Sequence, residues 1–267
     1  MNFPFYIAKR YLRSKSSQNA VNIINFITFL VIVIGSAALF IVLSAFAGLK
    51  TFSLSFTNTF DPDLKAIPIT GKVFSISPEE EAKLTAIEGV THFSKELEER
   101  AYLTFRGKSC IAYIKGIDEN YRTVTGVDST LYFGNWGVTE YNAVVGIGLY
   151  NLLGAPVDNY QTPISVLVPK PGKGSINQQS LNAKPYNQLP LVISGVYAVE
   201  EKLDKKYLFA HLPLVQGLLE KDTSQISGIN FKLNAESSEE TVKQAILSSL
   251  GNKVLVLSRR ELNGTLY

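Results

Sequence analysis

Few residues in this chain could do chemistry, and their spacing rules most of it out. There are two histidines, His92 and His211, and one cysteine, Cys110. A structural zinc site takes four closely spaced Cys or His ligands, which these three residues cannot supply, so each histidine is expected as a surface or partly buried residue. A lone cysteine forms no intramolecular disulfide, and Cys110 is far from an N-terminal lipid-attachment position; it is expected as a small apolar residue in a strand. Gly172-Lys173-Gly174-Ser175 resembles the end of a phosphate-binding loop, but position 167, where the motif needs its first glycine, is Leu167. Gly146-Ile147-Gly148 starts like a dinucleotide fingerprint and then has Asn151 where the third glycine belongs. The carboxylates Glu79-Glu80-Glu81 and Glu96, Glu98, Glu99 are expected to be solvated at helix or turn positions. No nucleophile is paired with a base, so an enzyme is the least supported class and no cofactor or metal is implied.

The elements around these residues explain the chain better. From Ser16 to Leu49 there is no charged residue or histidine. Roughly 20 apolar residues cross a hydrocarbon core of about 30 Å, and Ile23 to Leu49 is the best window. Lys9, Arg10, Arg13, Lys15 and Lys50 are the only charges in residues 1–50, which leaves 21 basic against 23 acidic residues afterwards. The pI near 8.7 therefore reflects a topology signal at Lys9, Arg10, Arg13 and Lys15 and not a nucleic-acid footprint. By the positive-inside bias, the N-terminus is cytoplasmic and everything after about residue 50 is outside. Ala45-Phe46-Ala47 fits a signal-peptidase site. The uncharged core is, however, far longer than the 7 to 15 residues typical of a signal sequence, and an uncleaved anchor is the expectation. The aromatic and basic residues of positions 3–13 read as a short helix along the inner membrane surface.

Beyond the helix the apolar period switches to two. Asp63 to Phe74 suits one or two strands. Ser77-Pro78-Glu79-Glu80 is a helix start with a capping box, and Gly89 is read as that helix's end. Arg100–Phe105 and Ser109–Ile117, joined by Arg106-Gly107-Lys108, predict a hairpin. Further strands are expected at 164–168, 189–199, 226–233 and 253–257, and helices at 212–221 and 239–250, the last with a capping box of Ser237 and Glu240. The fold class is α+β: an α/β lobe from 57–120 and 190–258, split by a mostly β insertion, 121–189. Residues 1–20 form a cytoplasmic elbow, 21–60 a transmembrane helix rising into a stalk, and 259–267 a lead into a second membrane helix. The segment 169–188, rich in Pro, Gly, Asn, Gln and Lys, reads as a solvated loop.

Phe5, Arg10-Tyr11-Leu12, the helix ending LFIVLSAFAGLK, Ile114-Lys115-Gly116-Ile117-Asp118, Val144-Val145-Gly146-Ile147-Gly148-Leu149 and Leu191-Val192-Ile193-Ser194-Gly195-Val196-Tyr197 occur in an order and spacing that resembles the lipoprotein-releasing ABC permeases (the LolC/LolE family, of the MacB/FtsX-like superfamily). The resemblance implies a bacterial inner-membrane permease subunit whose first helix precedes a MacB-like periplasmic domain. Three more helices are then expected after Tyr267. It implies as partners a cytoplasmic ABC ATPase, a second permease subunit in a homo- or heterodimer, membrane lipid, a lipoprotein cargo and a periplasmic carrier, with no nucleic acid. Leu43, Phe46, Leu49, Phe52 and Phe56 match the positions that would line an acyl-chain cavity, and Pro169, Lys170, Pro171, Gly172, Lys173 and Gly174 fall where one related subunit carries a carrier-binding loop. Two other readings remain at this stage: a MacB- or FtsX-like subunit that transmits mechanical work without moving lipid, and a singly anchored or secreted binding module.

Overall fold

The structure is a computed structural model describing residues 3–13, 19–57, 60–170 and 185–262, with the backbone alone at residues 8, 11–13, 19–22 and 50–57. Helix α1 (Phe3–Arg13) is followed by α2 (Asn19–Thr57), a helix of 39 residues. At about 1.5 Å per residue α2 is roughly 58 Å long. Within it Ile23–Leu49 is long and apolar enough to cross a membrane, and every side chain in that span is exposed. Such a surface is costly in water and matched to hydrocarbon. Two of its hydroxyls are satisfied inside the helix: Thr28 Oγ1 donates to the Ile24 carbonyl at 2.9 Å and Ser36 Oγ to that of Val33 at 3.0 Å. That is what a medium without water requires.

The chain divides into two units, Met1–Ser55 and Phe56–Tyr267. The second contains β1 (Leu64–Pro68), β2 (Phe74–Ser75), α3 (Pro78–Thr85), β3 (Val90–Phe105) and β4 (Lys108–Ile117). There follow α4 (Tyr121–Val124), β5 (Leu131–Gly134), β6 (Asn142–Gly146), α5 (Ile147–Leu153), β7 (Ile164–Pro169), β8 (Tyr186–Tyr197), α6 (Glu201–Asp204) and β9 (Tyr207–His211). The last elements are α7 (Leu212–Leu218), β10 (Gln225–Ile226), β11 (Gly228–Leu233), α8 (Glu239–Leu250), β12 (Val254–Ser258) and α9 (Arg259–Leu262). One branched sheet runs β12-β1-β11-β3-β4-β9-β6-β8-β5, and β7 bridges β3 and β8. The strands β5, β6 and β7 of segment 121–189 thus belong to the same sheet as β3, β4, β8 and β9.

Three apolar clusters hold this sheet. Alternate residues of β1, β11 and β12 pack under α3 and α8 through Leu84, Val242, Ile246 and Leu250. Leu97, Leu103, Ile114, Val166 and Leu208 meet α5 and α7, and an aromatic cluster around Phe209 forms a third. The β3–β4 hairpin turns on Arg106 and Gly107, both at positive φ, the backbone a tight right-twisted hairpin needs. The Ser77 capping box of α3 forms as the spacing requires, with the Ser77 N–H donating to Glu80 Oε2 at 2.8 Å and the Glu80 N–H to Ser77 Oγ at 3.2 Å.

Three helix ends differ from expectation. Helix α3 stops at Thr85, so Gly89 lies past it, at φ +98°, in the turn into β3. Ser237 does not cap α8, whose N-cap is Ser238 without a side-chain bond. A side chain on Gly89 would come within 2.6 Å of Ser237 Oγ, so Ser237 is packed where Gly89 leaves room. Helix α7 also ends earlier than expected, at Leu218.

Gly146 illustrates a glycine kept for space. Its Cβ would lie 2.2 Å from the Asp204 carbonyl oxygen, so the backbones of β6 and α6 approach as only glycine allows. Gly146→Ala is expected to cost about 1–3 kcal/mol or more through overpacking, read as a lower thermal midpoint by circular dichroism. Gly217→Ala, with nothing within 4 Å in α7, is the contrasting control, expected to leave the midpoint unchanged or raise it by the equivalent of up to about 1 kcal/mol.

Candidate functional site

On α2, Leu43, Phe46 and Leu49 are 61%, 69% and 64% exposed, three residues apart as expected for one face. Ile41, on the opposite side, is equally exposed, so the helix is apolar all round and no stripe stands out. The side chains of Phe52 and Phe56 lie outside the described residues. On α1, Lys9 and Arg10 are exposed beside exposed Phe5, Tyr6 and Ile7. Arg13 ends the helix, and Lys15 lies outside the described residues. Pro169 and Lys170 are exposed where β7 ends. The β7–β8 ladder extends to Pro169↔Tyr186, and the Lys170 N–H donates to the Pro185 carbonyl at 3.0 Å. Pro171, Gly172, Lys173 and Gly174 lie outside the described residues.

The domain starts and ends at one place. Strand β1 pairs antiparallel with β12 from Leu64↔Ser258 to Pro68↔Val254. Just outside that register, Arg259 Nη2 donates to Asp63 Oδ1 at 2.7 Å, and Asp63 Oδ2 accepts the Leu233 N–H at 2.9 Å. One carboxylate thereby ties β1, β11 and α9. Phe60, three residues before it, stacks on Phe209 at 5.7 Å and meets Tyr197 edge-on at 5.2 Å. Spacing gave no signal for this root, because its members lie some 200 residues apart.

At the middle of the sheet sits a buried ion network. Glu96 in β3 is 2% exposed. It accepts from Lys65 in β1 at 2.6 Å and from Asn230 in β11 at 2.8 Å, with Lys115 of β4 at 3.5 Å. Lys115 also faces Glu98 at 3.3 Å and the Tyr207 ring at 4.6 Å. Burial pushes the Glu96 carboxyl up, but Lys115, Lys65 and Asn230 together pull it down to about 2. For Lys115 burial acts downward, and Glu96 and its neighbours hold the ammonium well above its ordinary range. This corrects the expectation that Glu96, Glu98 and Glu99 are solvated at helix or turn positions: all three are in β3, and Glu96 is core. A charge inside a strand is invisible to spacing because its partners come from three other strands.

Nothing in this arrangement sets up bond chemistry. Cys110 is half-buried in β4, and burial pushes its thiol up, away from the reactive thiolate. Among the described residues no three His, Cys, Asp or Glu side chains are grouped to hold a metal ion.

Neither a family model nor a curated protein matches the sequence. Solved structures do. The periplasmic region of MacB from Actinobacillus actinomycetemcomitans aligns with a TM-score of 0.52, covering 76% of this chain and 91% of that one at 14% identity. The domain has a MacB-like periplasmic fold. The extracellular domain of the noncanonic ABC-type transporter YknZ from Gram-positive bacteria aligns likewise, with a TM-score of 0.51 over 74% of this chain and 99% of that one at 10% identity. At such identities it is the architecture that is shared. In this MacB-like domain the root of β1 and β12, the ion network and the β7–β8 hairpin are therefore features to be read on their own chemistry.

Proposed function

We propose that the chain serves in an ABC permease of the MacB/FtsX-like kind, working with a separate cytoplasmic ATPase and a second permease subunit, and that its cargo is lipoprotein. The observation that carries the reading is one polypeptide joining a helix long and apolar enough to span a membrane to a MacB-like periplasmic fold. In this reading Lys9, Arg10, Arg13 and Lys15 keep the N-terminus in the cytoplasm and the domain faces the periplasm. Leu43, Phe46, Leu49, Phe52 and Phe56 receive acyl chains, and residues 169–174 meet a periplasmic carrier. Removing a lipid anchor costs about 0.8 kcal/mol for each buried CH₂, so release needs both an apolar cavity and external work.

The root favours a second reading of the same kind, mechanical transmission without lipid movement. Asp63, Arg259 and the β1–β12 ladder would make the two ends of the domain move together. Depleting the full-length subunit from cells separates the two. Lipoprotein release predicts mature lipoproteins retained in the inner membrane, whereas an unchanged lipoprotein distribution overturns it in favour of transmission.

A further inference from the structure

Strand β3 is longer than the strands beside it. On one edge it pairs with β11 over Val90–Glu96 and with β7 over Tyr102–Thr104. Between them, Leu97–Ala101 has no strand on that edge among the described residues. Alternation in an antiparallel ladder aims the main-chain groups of Arg100 away from β4. Its partner Tyr113 accordingly donates to the Lys206 carbonyl at 2.7 Å and not to β3. Side chains cover part of the gap: Ser227 Oγ accepts the Glu98 N–H at 2.8 Å, and Glu99 Oε1 accepts the Arg100 N–H at 3.1 Å.

The gap opens into a groove of about 690 Å³, within the range of ligand sites. Its floor is apolar, with Leu97, Leu167 and Leu219, and its rim carries Arg100, Lys170 and Lys221. The acidic residues there are already matched, Glu98 to Lys115 and Glu99 to Lys72 at 2.7 Å. The three rim cations have no acidic partner among the described residues.

We propose that this groove docks an acidic, extended peptide segment of a partner protein, which pairs with the Arg100 main chain, displacing Glu99 from the Arg100 N–H, and places carboxylates against Arg100, Lys170 and Lys221. The stretch between Glu98 and Tyr102 is about 13 Å long at roughly 3.3 Å per residue, room for three or four extended residues. Main-chain donors and acceptors at an open edge recognise a peptide, whereas a lipid tail has none to offer. Cations spread around the rim fit several carboxylates better than one headgroup. The inference goes beyond the permease reading and stands without it.

The test uses the full chain in nanodiscs of phosphatidylcholine and a fluorescent hexapeptide alternating valine and glutamate, read by anisotropy. Saturable binding is expected, weakened at least about tenfold by Arg100→Glu with Lys221→Glu, by N-methylation of the peptide backbone, and by high salt. Both substituted positions are at the rim, and Lys170→Glu provides a second variant should the pair lower the thermal midpoint. The proposal is overturned by absence of saturable binding up to about 1 mM, or by equal affinity for a valine–lysine peptide. Displacement of the peptide by phosphatidylglycerol vesicles would assign the cations to lipid. Self-association abolished by the same substitutions would assign the groove to a second copy of the chain. Either result overturns the peptide proposal.

Discussion

Glu96→Ala is expected to destabilise the domain by about 3–5 kcal/mol, the cost of leaving a buried charge without its counterion. Lys115 is the charge left behind: it is buried, 3.5 Å from Glu96, with Glu98 as its remaining acid at 3.3 Å. Lys65 and the Asn230 amide lose their acceptor in the same step. Glu96→Gln keeps the shape and one acceptor and is expected to cost less than alanine but still more than an exposed substitution such as Glu79→Gln. Replacing Glu96 and Lys115 together by methionine should recover much of the loss, because a dry pair exchanged for apolar residues of similar size is often neutral. The pH dependence has a fixed sign. The carboxyl is held at about 2 in the fold, against 4.5 ordinarily. Its contribution is therefore complete above 4.5 and is lost as the pH falls from there through 2. Denaturant unfolding across that window should show wild type losing stability more steeply than Glu96→Ala. Parallel curves would mean that Glu96 is not ionised in the fold.

What the sequence made legible was local. The Ser77 capping box, the Arg106-Gly107 hairpin and the apolar helix all follow from contacts within a few residues. Where the outcome differed, a distant residue had intervened. Ser237 packs where Gly89, nearly 150 positions away, leaves room, and Glu96 became core because Lys65, Lys115 and Asn230 arrive from three other strands. The groove beside Arg100 could not be read at all. It exists because β11 and β7, separated by nearly 60 residues, take different stretches of one edge of β3 and leave the middle open. Composition predicted a charged, solvated segment there, and pairing turned part of it into a dry network and part into an open edge.

Phe209→Ala is the other change expected to cost about 3–5 kcal/mol, the range for truncating a buried phenylalanine. Phe209 is 0% exposed, and its ring lies 5.3 Å from Trp136, 5.5 Å from Tyr197 and 5.8 Å from Tyr121. Edge-on and tilted pairs add to the area buried, about 0.5–1.5 kcal/mol each, so collapse into the cavity cannot recover the loss. Phe209→Leu, which retains much of the volume, should cost clearly less. The consequence reaches the root of the domain, because Phe60 is held by stacking on this ring at an interplanar angle of 8°. Hydrogen exchange should therefore quicken at residues 60–63 in Phe209→Ala beyond what global destabilisation explains. Glu96→Ala, tuned by denaturant to equal stability, is the matched control. Equal exchange at 60–63 in the two variants would show that Phe60 is anchored by the Asp63–Arg259 pair and β1 alone. Faster exchange in Phe209→Ala would show that the aromatic cluster anchors Phe60 and the residues leading into β1.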